Sequence, residues 1–126
     1  MKQFNILLFV IVLLITYVCA SGPAFADKAS ITIDVPTVAA KGSEITIKVT
    51  VIHSTNNFFH HVEWVYVKIN GKEVARWDFS GSKKPENTTF AREIKFQANE
   101  PLEISAEASC NMHGSKGPAM VNISIK

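Results

Sequence analysis

Alternation is the clearest pattern in the chain. Ile45, Ile47, Val49 and Val51 are apolar, and Thr46, Lys48 and Thr50 between them are polar. A repeat of two places the two sets on opposite faces of an extended chain, so this segment predicts a half-buried strand. Val62 to Ile69 is rich in β-branched and aromatic residues, and Lys72 to Phe79 alternates through Ala75, Trp77 and Phe79. Asn70-Gly71 lies between them. Both residues of a tight hairpin turn need positive φ, which Asn and Gly supply most cheaply, so the two runs predict a hairpin. Further strands are expected at Ile31 to Val35, around Phe90, Ile94 and Phe96, through Leu102, Ile104, Ala106 and Ala108, and through Val121, Ile123 and Ile125. Gly81 to Asn87 reads as a polar loop. No window repeats at the helical period. The expectation is an all-β chain, an immunoglobulin-like β-sandwich of about seven antiparallel strands.

The N-terminus breaks this pattern. Lys2 lies in a short polar start, and Ile6 to Ala20 is apolar apart from Thr16. That run is shorter than the roughly 20 residues a membrane-spanning helix needs. It gives way to Ser21-Gly22-Pro23, then to Ala24-Phe25-Ala26, with small residues where signal peptidase requires them. Residues 1–26 are therefore expected to be a signal peptide, cleaved after Ala26. A periplasmic or secreted protein with one domain over residues 27–126 and no membrane association after cleavage is the consequence. The 13 Lys and Arg against 11 Asp and Glu give a net charge of +2, which excludes a strongly electrostatic nucleic-acid binder.

Cleavage would also remove Cys19 and leave Cys110 as the only cysteine, with no disulfide partner. A lone thiol in an oxidising compartment is either buried and inert or held by something such as a metal. Cys110 continues the inward face of Leu102, Ile104, Ala106 and Ala108. His113 follows three positions later, and Gly114 lets the backbone bend away, so the turn can bring a thiolate and an imidazole to one ion. The other histidines lie at predicted strand ends. His53 keeps phase with Ile45 to Val51, and His60 keeps phase with Val62 and Trp64. A buried cysteine among surface histidines remains the competing reading.

The motifs then become specific. Cys110-Asn111-Met112-His113-Gly114 resembles the Cys-Asn-x-His-Gly signature of superoxide reductases, the desulfoferrodoxin and neelaredoxin family. His60-His61-Val62-Glu63-Trp64-Val65 resembles that family's His-x-Ile-x-Trp-Ile segment, and His53 matches its first loop histidine. The resemblance implies an immunoglobulin-like sandwich holding one non-haem iron by four equatorial histidines and an axial thiolate. Carried over, His53, His60 and His113 become equatorial ligands and Cys110 the axial one, with His61 left as an exposed loop residue. The implied activity is reduction of superoxide to hydrogen peroxide with an electron from an external donor, such as a rubredoxin-like or cytochrome protein. A homo-oligomer is compatible with the family.

The sequence departs from the family in four places. The interval from His53 to His60 is one residue longer, Ser54 stands for a proline, and Ser115-Lys116 follows the cysteine motif. The family's N-terminal Glu-Lys-His-Val-Pro aligns with Asp27-Lys28-Ala29, so Ala29 takes the place of the fourth histidine. Lys28 is the expected catalytic residue, attracting the anion, with Lys116 as a second candidate. The lost histidine keeps two other readings open. Zinc accepts three histidines and a cysteine. A cupredoxin-like copper site would use Cys110, His113 and His53 or His60, with Met112 or Met120 axial. Either would be a metal-binding or electron-transfer sandwich without superoxide reductase activity.

Overall fold

In the computed structural model, which describes residues 27–126 together with Asn5 and Ile11, the alternating segments form eight strands. They are β1 (Ser30–Asp34), β2 (Val38–Ala39), β3 (Ser43–Ile52), β4 (Val62–Ile69), β5 (Lys72–Asp78), β6 (Thr89–Ala98), β7 (Leu102–Cys110) and β8 (Ala119–Ile125). Apart from Asn5 and Ile11, the expected signal peptide, with its cleavage position, lies outside the described residues. Among those residues no helix is long and apolar enough to cross a membrane.

The strands make two sheets, one of three strands in the order β1-β3-β6 and one of five in the order β2-β8-β7-β4-β5. Ile45, Ile47, Val49 and Val51 of β3 are buried, as are Leu102, Ile104, Ala106, Ala108 and Cys110 of β7. β1 packs against β7 and β8, which closes the layers around one core. The sequence expectation of an all-β sandwich holds, with two additions. β2 is a strand of two residues, and it pairs parallel with β8 where every other named pair is antiparallel. The hairpin between β4 and β5 turns at Asn70 (φ 50°) and Gly71 (φ 81°), as their residue types require.

The pairing gathers four chain segments at one end of the sandwich. Ser30 at the start of β1 lies opposite Ile52 at the end of β3, and Val62 at the start of β4 lies opposite Cys110 at the end of β7. The lead-in to β1, the loop from β3 to β4, the loop from β5 to β6 and the turn after β7 therefore share that end. The register of β4 against β7 shifts between Val62 and Trp64. Val62, Val65, Val67 and Ile69 face the core, and Trp64 turns outward to stack on Tyr66. This corrects the simple period-two phase, in which Trp64 shared the face of Val62. An extra residue in one strand changes which face its neighbours take.

Candidate metal centre

His53 follows directly on β3, His60 precedes β4 and Cys110 ends β7, so antiparallel register brings three distant positions together. Their ligand atoms all lie within 4.8 Å of one another. Metal–nitrogen and metal–sulfur bonds of about 2.0–2.3 Å put opposing donors roughly 4.4 Å apart, so the cluster closes on an ion with shifts of a few tenths of an ångström. The His53 and His60 rings meet edge to face at 4.8 Å, and those of His60 and His113 at 5.0 Å. His113 Nδ1 comes within 3.3 Å of His60 Nε2. The three imidazoles are thus contiguous, with His113 joining through His60.

The turn after β7 is built to present sulfur and nitrogen together. Cys110 and Gly114 exchange backbone hydrogen bonds of 2.9 and 3.0 Å, and Gly114 takes φ 78°, where a side chain would be strained. The backbone N–H of Met112 donates to Cys110 Sγ at 3.4 Å. Asn111 ties this turn to the histidine loop. Its Oδ1 accepts from the His61 N–H at 3.0 Å, its Nδ2 donates to the Phe59 carbonyl at 3.0 Å, and its backbone N–H donates to the His61 carbonyl at 3.0 Å. This is a physical reason for asparagine beside the cysteine. The histidine loop is also braced within itself, because Asn57 Oδ1 accepts from the N–H groups of Phe59 and His60.

Asp27 enters the site from the lead-in to β1. Ala29 bridges to Ser115, its N–H donates to the Gly114 carbonyl, and its carbonyl accepts from Lys116. That lead-in carries Asp27 to the imidazoles. Its Oδ2 lies 3.5 Å from His53 Nε2 and 3.9 Å from His60 Nε2, and it accepts a hydrogen bond from Ser54 Oγ. Ser54 and the imidazoles of His53, His60 and His113 hold the Asp27 carboxyl below its ordinary range, against a smaller opposing effect of desolvation. Burial, then repulsion from His53 and His113, pushes His60 below the ordinary histidine value, although Asp27 works the other way. Near neutral pH the site therefore offers an ionised carboxylate and a neutral His60, the protonation states a metal needs.

The donor set fits a transition metal. His53 is buried, and its Nδ1 has no hydrogen-bond partner among the described residues. A buried imidazole nitrogen left without a partner costs about 1–3 kcal/mol if the ring served packing alone. Contiguous imidazoles beside a buried thiol suit iron, zinc or copper by ligand type.

Two expectations need revision. His61 is buried, 6% exposed, with Nδ1 on the Asn57 carbonyl at 3.0 Å, so it is a structural member of the loop and no exposed bystander. Met112 and Met120 are 60% and 58% exposed, unlike a buried axial thioether. Lys28 and Lys116 are exposed, on the segment of Asp27 and on its bonded neighbour. Ala29, in the place of the family histidine, is wholly buried in the core.

The desulfoferrodoxin family model matches residues 23–115, a span that includes Asp27, His53, His60, Cys110 and His113. The chain belongs to the desulfoferrodoxin family. Membership implies iron binding and relates the His/His/Cys cluster to a known class of site. The fold is similar to that of the superoxide reductase (neelaredoxin) of Ignicoccus hospitalis, with a TM-score of 0.66 at 20% identity over 85% of this chain and 90% of that one. It is also similar to the sulfur carrier protein SoxY of Chlorobium limicola, with a TM-score of 0.53 at 14% identity over 76% and 78%. A CARDB domain from Pyrococcus furiosus, solved in complex with di-metal ions, gives 0.60 at 16% identity over 81% and 96%. At such identities these structures share the fold with this desulfoferrodoxin-family chain, whereas their functions differ. No curated protein sequence matches it.

Proposed function

We propose that this protein holds one iron ion through His53, His60, His113 and Cys110, with the Asp27 carboxylate as a further donor, and reduces superoxide to hydrogen peroxide. The observation that carries the reading is the convergence of a buried thiol and contiguous imidazoles at the family's motif positions. The reaction consumes one electron and two protons per superoxide. Bound iron would supply the redox couple, with the thiolate raising electron density at the metal. The chain supplies the rest. The Met112 N–H and burial hold the Cys110 sulfur in place. The Asn111 clamp fixes the distance between the cysteine turn and the histidine loop. Lys28, exposed beside Asp27, draws the anion toward the site by its charge. The electron comes from an external donor. Export after cleavage at Ala26 belongs to the same reading, and the mass of the secreted chain checks its start at Asp27.

Zinc in place of iron is favoured by one observation only, the replacement of a fourth histidine by Ala29, because zinc is satisfied by four donors. Metal analysis and absorption spectra of the purified protein and of Cys110→Ser separate the two. An iron protein shows a thiolate-to-metal charge-transfer band that Cys110→Ser removes. Zinc as the bound metal, or an unchanged band in Cys110→Ser, contradicts the proposal.

A further inference from the structure

Exposed apolar surface is concentrated at the metal end of the molecule. Phe59 is 78% exposed, Phe58 60% and Met112 60%. Each adjoins a candidate ligand in sequence: Phe58 and Phe59 precede His60, and Met112 stands between Cys110 and His113. The bond from Asn111 Nδ2 to the Phe59 carbonyl joins the loop of Phe58 and Phe59 to the turn of Met112. The surface is preformed. Asn57 braces the loop, Phe58 and Phe59 pack edge to face at 5.0 Å, and Gly81 lies so close that a Cβ there would clash with the Phe58 carbonyl oxygen. Nothing in the core requires two phenylalanines at this position.

The surroundings are basic. Lys83 and Lys84 lie on the Gly81 loop, Lys28 beside Asp27, and Lys116 on the segment bonded to Ala29. All four are exposed, and none has an ion pair among the described residues. The acids at this end are mostly engaged, Asp27 with the imidazoles, Glu86 with Arg92 and Asp78 with Arg76, which leaves Glu63 unpaired.

We propose that Phe58, Phe59 and Met112, ringed by Lys28, Lys83, Lys84 and Lys116, form the docking surface for a one-electron carrier protein whose exposed redox centre has an acidic rim. The inference rests on the proposed function and deepens it by assigning the partner's charge and its seat. An apolar centre excludes water, and complementary charge speeds encounter, which suits the small, short-lived interfaces of electron-transfer pairs. A carrier seated there is separated from the ligands by few bonds, since Phe59 is bonded to His60 and the Met112 N–H contacts Cys110 Sγ. The carrier is oxidised by one electron and the metal centre reduced by one.

Two measurements test this. In the first, the oxidised metal-loaded protein is mixed with a reduced acidic rubredoxin, and separately with a reduced basic cytochrome c, while the metal band is followed. The rate with rubredoxin should fall with added salt, and should drop roughly tenfold both in Phe58→Ser/Phe59→Ser and in Lys83→Glu/Lys84→Glu, the latter becoming faster with cytochrome c. Oxidation of the prereduced Phe58→Ser/Phe59→Ser protein by superoxide should be unchanged, which separates failure of docking from failure of the metal chemistry. In the second, which needs no metal, oxidised rubredoxin is titrated into isotope-labelled protein, and the amide signals of Asn57 to His61 and Asn111 to Gly114 should shift. Rates insensitive to both variant pairs, shifts confined to another face, or a dimer of this chain that dissociates in Phe58→Ser/Phe59→Ser would overturn the proposal.

Discussion

A carboxylate beside three imidazoles and a thiol changes what a metal ion meets. Asp27 brings negative charge and a hard oxygen donor to a site otherwise made of nitrogen and sulfur. Its Oδ2 faces the Nε2 atoms of both His53 and His60, and Ser54 helps keep it ionised. Ala29 supplies no donor, so the carboxylate is the side chain at the lead-in to β1 that reaches the imidazoles. Asp27→Ala should weaken metal retention about tenfold to a hundredfold, in the range seen when groups supporting a metal site are removed. Asp27→His should keep the metal and shift the absorption spectrum, because a neutral nitrogen replaces an anionic oxygen. Competitive chelation reads both variants, and equal affinity in the wild type and Asp27→Ala would remove Asp27 from the site. The residue was not legible as a ligand. It lies far in sequence from His53, and only the register of β1 on β3 and the Ala29–Ser115 bridge place it there.

At the scale of elements, period two predicted the strands because burial of one face is what selects it, as in β3 and β7. β2 carries too few residues to show a period, and the irregularity at Val62 and Trp64 depends on a partner strand distant in sequence. That irregularity sets up the outer face of the larger sheet. Trp64 stacks on Tyr66, Arg76 lies over Trp64, and Lys68 lies over Tyr66. The Tyr66 hydroxyl donates to Glu107 Oε2 at 2.6 Å, across from β4 to β7. Desolvation, then the bond to Glu107 and its charge, push Tyr66 from 10.0 up to about 12. A raised pKa means that the folded state holds the proton more tightly. Its stabilising contribution is complete below pH 10 and is lost as pH rises through about 12. In a chain starting at Asp27, Tyr66 is the only tyrosine, so alkaline titration of tyrosinate absorbance reads it directly. The midpoint should lie near 12 and fall toward 10 in Glu107→Gln. An ordinary midpoint in the wild-type protein would contradict the pairing.

Across the whole molecule, the sandwich is a frame that delivers strand ends to one place. The core is distributed along both sheets, while the candidate ligands, Lys28, Lys83, Lys84, Lys116 and the exposed Phe58 and Phe59 lie at the end where β3 and β7 finish and β1 and β4 begin. Much of this site was legible because Cys110, His113, His60 and His53 sit in recognisable local patterns. The burial of His61 was not, since it depends on Asn111 fastening a loop across two strands. Reduction of superoxide at a thiolate-ligated iron would show in the products of a superoxide pulse given to the prereduced iron protein. The pulse should give one hydrogen peroxide for each superoxide consumed, no oxygen released, and oxidation of the iron in step with it, all lost in Cys110→Ser. Oxygen release with half as much peroxide, the signature of dismutation, or superoxide decay no faster than in buffer, would contradict it.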